Sequence, residues 1–152
     1  MNKSAKDTVD HFIEQMGMIT QSEGMPRISG QILGLLLIET GPFSFSEIAE
    51  RLEVSRGSVS TNTRLLENLG VIERIAKMGD RCDYFQLAND PYVKLLHGAS
   101  QRMEKSITVV REAITDFPQD WKQSQTRLQD LEHFYTEYLK ITTTLSQRLK
   151  TD

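Results

Sequence analysis

The residues best suited to contact a ligand form a short run of small polar side chains around two arginines, at positions 55–64. The run contains no acidic residue, whereas an ordinary solvated helix face is rich in Glu and Lys. Hydroxyl, amide and guanidinium groups approach base edges and phosphates without steric or charge conflict, and Gly57 lets the backbone come close. The run therefore predicts contacts with double-stranded DNA. The predicted contact residues are Ser55, Arg56, Gly57, Ser58, Ser60, Thr61, Asn62 and Arg64.

Two further cations, Lys77 and Arg81, flank a turn with Gly-Asp at its tip. Residues 71–76 and 82–87 have the pattern of two strands, so the turn is predicted to be the tip of a hairpin. Cations at such a tip can reach phosphates or the minor groove of DNA. We therefore add Lys77 and Arg81 to the predicted contact residues, with a merely solvated turn as the alternative interpretation.

Two short helices, each with its own start signal, must position these residues. Ser44 forms a capping box with Glu47 three residues later, and Ser55 repeats the cap before the second helix. Gly70 occupies the position that commonly ends a helix. Because only a tight turn separates the two helices, they must meet at a large angle. Followed by a hairpin, this arrangement predicts a winged helix-turn-helix whose second helix lies in the major groove.

Two helices are predicted before this unit. Residues 3–20 carry apolar side chains at steps of three and four, and a second helix is predicted for residues 26–39. Gly30 and Gly34 lie on one face of the second helix, where glycine weakens the helix. The expected compensation is the close approach of another helix.

The last third of the chain is predicted to consist of long helices. From Trp121 onward the apolar residues alternate steps of three and four, which gives a heptad-like seam. A helix of about 40 Å, at 1.5 Å per residue, exposes more apolar surface than one chain can bury, so we expect it to pair with a second copy. The seam consists of Leu128, Leu131, Tyr135, Tyr138, Thr142, Leu145 and Leu149, widened by Phe134 and Ile141.

These elements together predict a mostly α (α+β) fold. It contains a winged helix-turn-helix domain with a two-stranded wing, flanked by N- and C-terminal dimerisation helices. The predicted segments are residues 1–24 for the N-terminal dimerisation helix, 25–90 for the DNA-binding domain and 91–152 for the long helices that hold the dimer and any effector site.

Composition narrows the function classes. The net charge is −3, and residues 54–87 contain five basic and four acidic residues, which favours specific contacts over strong non-specific binding. Because Cys82 is the only cysteine, the chain cannot form an internal disulfide, and a cysteine-based zinc cage is not expected. A redox role for Cys82 is the less favoured interpretation. No metal-ligand spacing of histidines, nucleophile elbow or phosphate loop is present. We expect no metal, no cofactor and no enzymatic activity.

The sequence also predicts a cellular location. The first residues lack the apolar core of a signal peptide, and no apolar run is long enough to span a membrane. We therefore expect a cytoplasmic protein with no membrane partner.

From about Gly24 to Leu87 the chain resembles the MarR superfamily of winged-helix regulators, most closely its GbsR-like branch. The stretches that carry the resemblance are GMPRISGQILGLLLIE, SEIAERLEVSRGSVSTNTRLLENLGVIERI and GDRCDYFQL. The resemblance implies a homodimer whose terminal helices pair and whose winged domains read half-sites of a roughly palindromic operator. It places the recognition helix at residues 55–64 and the wing tip at residues 77–81. It also implies repression that a small-molecule effector relieves, although many relatives carry a more cationic wing.

The sequence thus predicts a sequence-specific, DNA-binding transcriptional regulator, with repression favoured over activation. Two alternatives belong to other classes. One is a winged-helix protein-interaction module without DNA binding, and the other is a small-molecule-binding dimer whose winged domain is vestigial.

Overall fold

The computed structural model describes residues 4–150, and residues 1–3 and 151–152 of the predicted terminal segments lie outside the described part. The chain divides into two compact units, the first ending at Pro91 and the second beginning at Tyr92. The elements are α1 (Ala5–Ser22), α2 (Arg27–Ile38), β1 (Phe43–Ser44), α3 (Phe45–Leu52), α4 (Arg56–Leu69), β2 (Ile72–Ala76), β3 (Asp83–Leu87), α5 (Pro91–Asp116) and α6 (Lys122–Leu149).

The architecture confirms the prediction of a mostly helical fold with a winged helix-turn-helix and flanking helices. The wing strands β2 and β3 pair antiparallel, with Arg74 opposite Phe85. A third strand, β1, pairs with the other edge of β3, so that the strand order is β1-β3-β2. The two-stranded wing is confirmed, and β1 is an additional strand that the sequence did not predict, because a strand of two residues is too short to show a period of two.

The start and end signals of the two central helices have the predicted partners. The Ser44 hydroxyl accepts a hydrogen bond from the Glu47 backbone N–H at 3.2 Å, and the Glu47 carboxylate accepts one from the Ser44 N–H at 3.4 Å. The Ser55 hydroxyl accepts from the Ser58 N–H at 3.1 Å. Gly70 ends α4 with a φ of 85°, a left-handed conformation that glycine adopts without strain.

The inner face of α4 packs against the core of the first unit. Val59 on α4 is completely buried, and so are Ile32 and Leu35 on α2, Ile48 on α3 and Phe85 on β3. Burying an aliphatic or aromatic side chain of this size stabilises a fold by about 1.5–3 kcal/mol. The direction in which α4 presents its outer face is therefore set by large apolar groups from three other elements.

Helices α1 and α2 approach each other closely at Gly30 and Gly34, as the sequence predicts. A Cβ atom at Gly30 would lie 2.3 Å from the Thr20 hydroxyl oxygen and 2.4 Å from the Met16 carbonyl oxygen. A Cβ atom at Gly34 would lie 3.2 Å from the Met16 Cβ. The two glycines thus create the space in which α1 packs.

The second unit consists of α5 and α6, which run antiparallel. The Gln125 side-chain amide donates to the Ile114 carbonyl at 3.1 Å near the connecting turn. The hydroxyl groups of Ser100 and Thr142 lie 3.4 Å apart further along the pair. Among residues 4–150, no helix has the length and apolar character that crossing a membrane requires.

Candidate nucleic-acid interface

One side of α4 belongs to the core and the other is open to solvent. Val59, Thr63 and Leu66 are buried, and their spacing defines the inner face. On the outer side Arg56, Gly57, Thr61 and Arg64 are exposed, and Ser60 is half-buried. At 100° per residue, these five positions span less than half of the helix circumference. We call them the α4 contact face. The contact face consists of Arg56, Gly57, Ser60, Thr61 and Arg64.

Two predicted contact residues lie at the start of this helix rather than on the face itself. Ser55 is exposed and Ser58 is half-buried, and the Ser55 hydroxyl donates to the Ser58 hydroxyl oxygen at 2.9 Å. Because the Ser55 oxygen also caps the Ser58 N–H, the pair forms a closed hydrogen-bonded unit. Ser55 and Ser58 thus define where α4 begins.

The prediction that Asn62 lies on the exposed face of the helix was wrong. Asn62 is only 6% exposed, and its side-chain amide donates to the Ser58 carbonyl at 2.7 Å. Its side-chain oxygen is buried without a hydrogen-bond partner. Asn62 lies at the edge of the inner face, between Val59 and Leu66, and a polar residue there is turned toward its own backbone.

Asn68 was not among the predicted contact residues, yet it extends the contact face. It is exposed and lies four residues after Arg64 and seven after Thr61. Residues at these spacings share one side of a helix, so the sequence contained the signal. The side-chain amide of Asn68 adds a donor and an acceptor to the far end of the face.

The wing tip is held by contacts among its own residues. The Lys77 ammonium nitrogen lies 4.0 Å from the centre of the Tyr84 ring. The Tyr84 hydroxyl donates to the Asp80 carboxylate at 2.5 Å, and the Cys82 N–H donates to the same carboxylate at 2.9 Å. The bond to Asp80 raises the pKa of Tyr84 to about 12, and the bond from Tyr84 lowers the pKa of Asp80. The Asp80 carboxylate is therefore held in place within the wing tip and stays ionised.

The other wing acid, Asp83, is paired with Arg74. The Arg74 guanidinium lies 3.0 Å from Asp83 and 3.0 Å from Glu67 at the end of α4. It also lies over the rings of Phe45 and Phe85, at 5.8 and 5.2 Å from their centres. These carboxylates, Glu67 above all, raise the pKa of Arg74. Arg74 therefore joins the wing to the end of α4 and is committed to this internal contact.

A second arginine, Arg51, ties the helix-turn-helix to the N-terminal helices. Its guanidinium lies 2.9 Å from Glu39 at the end of α2 and 2.8 Å from Asp10 on α1. The bond to Glu39 is the main reason that the pKa of Arg51 is raised. Arg51 thus holds the C-terminal end of α3 in place, next to the turn that leads into α4.

The described part of the chain offers no metal centre, since residues 4–150 contain no cluster of three His, Cys, Asp or Glu side chains that could hold an ion. Cys82 is an exposed free thiol at the wing. The exposed cations near α4 include Arg56 and Arg64 on the helix and Lys77 and Arg81 on the wing. The site therefore presents exposed hydrogen-bond donors and cations, which are suited to binding a polyanion.

Comparison with known proteins shows what the first unit is similar to. Residues 23–81 match the model of the MarR family. This part of the chain is therefore similar to a MarR-family winged helix. A solved structure described as that of a transcriptional regulator superimposes with a TM-score of 0.84 and 28% sequence identity, and the match covers 95% of this chain and 99% of that one. The GbsR-like branch remains a prediction.

Two curated relatives are named as regulators. The chain is 42% identical over 84 residues to the HTH-type transcriptional regulator MmpR5 of Mycobacterium tuberculosis, over 55% of this chain and 51% of that protein. It is 27% identical over 96 residues to the HTH-type transcriptional repressor OpcR of Bacillus subtilis, over 60% of this chain and 52% of that protein. The chain thus spans about half the length of the curated relatives it matches. Their names agree with the prediction that the chain is not an enzyme.

Proposed function

We propose that this chain is a sequence-specific DNA-binding transcriptional regulator that lays α4 in the major groove. The observation that carries the proposal is the α4 contact face, which is free of acidic residues and is fixed by a buried face of Val59, Thr63 and Leu66. Arg56 and Arg64 lie eight residues apart on one side of the helix, so both can reach the same duplex. Guanidinium groups in this setting bind guanine edges bidentately or hold phosphates.

The charges of the wing support specific contacts over non-specific ones. Asp83 is paired with Arg74, so its charge is balanced within the wing. Asp80 accepts a hydrogen bond from Tyr84 and keeps its negative charge, which nearby Lys77 offsets in part. Arg81 at the tip and Lys77 over the Tyr84 ring would then grip the backbone. A net charge of −3 for the whole chain keeps general attraction to DNA weak, so that affinity depends on these positioned groups.

We further propose that the chain acts as a homodimer on a roughly palindromic operator. Large apolar side chains form an exposed stripe along α6 at steps of three and four residues. The α6 stripe consists of Leu131, Phe134, Tyr138, Ile141, Leu145 and Leu149, which are 37–67% exposed. A second copy that covers this stripe would remove the apolar surface from water and would present two α4 helices to two half-sites.

Repression, the GbsR-like branch and a small-molecule effector are the finer parts of the proposal. Repression is supported by the name of the OpcR relative, and the branch and the effector are supported by the sequence resemblance. An effector that changes the distance between the two DNA-binding domains of the dimer would change how well they fit the spacing of the half-sites. A regulator of this kind acts on chromosomal DNA, which agrees with the expected cytoplasmic location.

The test uses duplexes selected from a random pool by the wild-type protein. We expect Arg64→Ala and Arg56→Ala each to weaken binding to a selected duplex about tenfold or more, because a bidentate contact contributes about 1–3 kcal/mol. The matched control is Arg127→Ala, which removes an exposed arginine from α6. Loss of affinity for all duplexes with a smaller salt dependence would assign a phosphate contact, and relaxed discrimination at one base pair would assign a base contact.

The same experiment decides against the proposal if the folded wild-type protein enriches no duplex even at low salt. That outcome would favour a winged-helix protein-interaction module without DNA binding. Unchanged affinity in both arginine variants, with DNA binding intact, would instead show that the wrong face of the domain has been assigned.

A further inference from the structure

Met78 at the wing tip is the most exposed large apolar side chain among residues 4–150. Its relative exposure is 104%, compared with 67% for Ile141, the next highest value. A single exposed apolar residue is ordinary on a protein surface, so exposure alone does not indicate a function. The position of Met78, between Lys77 and Arg81 at the end of the wing, is what distinguishes it.

The turn that carries Met78 is held in one conformation. The Asp80 N–H donates to the Lys77 carbonyl at 3.0 Å across the turn, and Gly79 has a φ of 81°. The Asp80 carboxylate in turn accepts from the Cys82 N–H and the Tyr84 hydroxyl. The side chain of Met78 therefore projects from a preorganised support, and binding need not first order the turn.

The charges beside Met78 suit a narrow, negatively charged groove. The Lys77 ammonium lies over the Tyr84 ring, and the Asp80 carboxylate is bonded within the turn, which leaves Met78 the most exposed apolar group of the wing. The cations Lys77 and Arg81 flank it and outnumber the single carboxylate of Asp80. Minor-groove proteins use this combination, in which a cation reads the groove and a Met, Leu, Ile or Phe wedge enters between base steps.

We infer that Met78 enters the minor groove and inserts between two base pairs beside the segment bound by α4. This inference rests on the proposed function and names the feature of the DNA that the wing selects. Pyrimidine–purine steps unstack and kink most easily, so the preferred DNA should carry such a step where the wing lies. The wing would then contribute to specificity through DNA deformability, without hydrogen bonds to base edges.

The experiment compares wild-type protein with Met78→Leu and Met78→Gln on the selected duplexes. Leucine keeps an apolar wedge, whereas glutamine has a similar length and a polar end. A fluorescent adenine analogue, whose emission rises when it is unstacked, is placed in turn at each adenine flanking the half-sites. The matched control is Met18→Gln on α1, where Met18 is 49% exposed.

We expect wild type and Met78→Leu to raise the emission at one position per half-site, and Met78→Gln to abolish the rise and weaken binding about tenfold. The inference is overturned if no position brightens with wild type, if Met78→Gln binds as tightly as wild type, or if leucine and glutamine weaken binding equally. In each of these cases an effect of Arg64→Ala would leave the proposed function standing, whereas failure of wild type to select any duplex would remove both.

Discussion

The Arg74 guanidinium lies 3.0 Å from the Glu67 carboxylate, so the first wing strand is tied directly to the last turn of α4. Asp83 on the second strand binds the other side of the same guanidinium. The buried side chains of Ile72 and Phe85 anchor the two wing strands to the core. Arg74 adds a polar link, because its one side chain joins the end of the helix to both wing strands.

The first prediction concerns this junction. Replacing Arg74 with Met keeps the apolar stem over Phe45 and Phe85 but removes the charge. Because the Arg74 side chain is 43% exposed, solvent weakens the pairs, and we expect a loss of only about 1 kcal/mol in the free energy of unfolding. Urea denaturation provides the measurement. Arg81→Met, at the exposed tip, serves as the control and should leave the unfolding midpoint unchanged; equal midpoints in both variants would contradict the prediction.

The second prediction concerns the close approach of α1 and α2. Gly30→Ala would place a Cβ atom 2.3 Å from the Thr20 hydroxyl oxygen, so we expect it to destabilise the fold by about 2–3 kcal/mol. Gly57→Ala is the matched control, since the nearest atom to its Cβ is the Ser55 hydroxyl oxygen at 4.0 Å. Within a helix this change should stabilise by about 0.5–1 kcal/mol. Chemical denaturation should therefore give shifts of opposite sign, and shifts of the same sign would count against the packing described.

The third prediction concerns the Tyr84–Asp80 hydrogen bond at the wing. The pKa of Tyr84 is raised from 10.0 to about 12, so the bond stabilises the wing fully below pH 10 and is lost as the pH rises through about 12. The lowered pKa of Asp80 means that the same bond persists below pH 3.8 and is lost as the pH falls through the folded value. The measurement is an NMR titration of ring-labelled tyrosines, in which Tyr84→Phe identifies the Tyr84 signal. In the Asp80→Asn variant, the pKa of the Tyr84 phenol should move back toward 10. A Tyr84 pKa unaffected by that substitution would refute the assignment.

The fourth prediction concerns the α6 stripe. Phe134 and Ile141 are 59% and 67% exposed, and replacing both with Glu should give a monomer at concentrations where wild type sediments as a dimer. Gln129→Glu with Gln147→Glu, both at exposed positions of α6, makes the same change in charge and should leave the dimer intact. In addition, the midpoint of thermal unfolding should rise with concentration for the wild type. A wild type that sediments as a monomer, with a midpoint independent of concentration, would exclude the dimer.

Local sequence signals were sufficient to predict α3 and α4. The partners of Ser44, Glu47, Ser55 and Gly70 lie within four residues along the chain, so the starts of α3 and α4 and the end of α4 follow from short-range sequence. The exposure of Asn62 was not readable in this way. A polar residue at the edge of a helix face can turn to solvent or back to its own helix, and only the packing of α4 on its neighbours decides between the two.

Long-range pairing explains the other differences. The sequence does not reveal that Arg74 pairs with Asp83 or that Lys77 lies over the Tyr84 ring, because these residues become neighbours only when the hairpin forms. The seam predicted for the last helix divides in a similar way. Leu128, Tyr135 and Thr142 lie partly or fully buried in the second unit, whereas the α6 stripe remains outside. Steps of three and four describe both faces equally well, so the pattern predicts amphipathicity without saying which apolar residues face which partner.

The contact at Gly30 restricts which residue related proteins can carry at this position. One of the two atoms nearest to its missing Cβ is the Met16 carbonyl oxygen, which belongs to the backbone and is present whatever residue occupies position 16. No exchange elsewhere in the chain opens room there, so lineages that keep this helix pair should keep glycine at position 30. At Gly34 the nearest atoms are the Met16 Cβ at 3.2 Å and the Ile13 Cα at 3.3 Å, so an alanine there would require α1 to move by only a few tenths of an ångström, and position 34 should vary more than position 30.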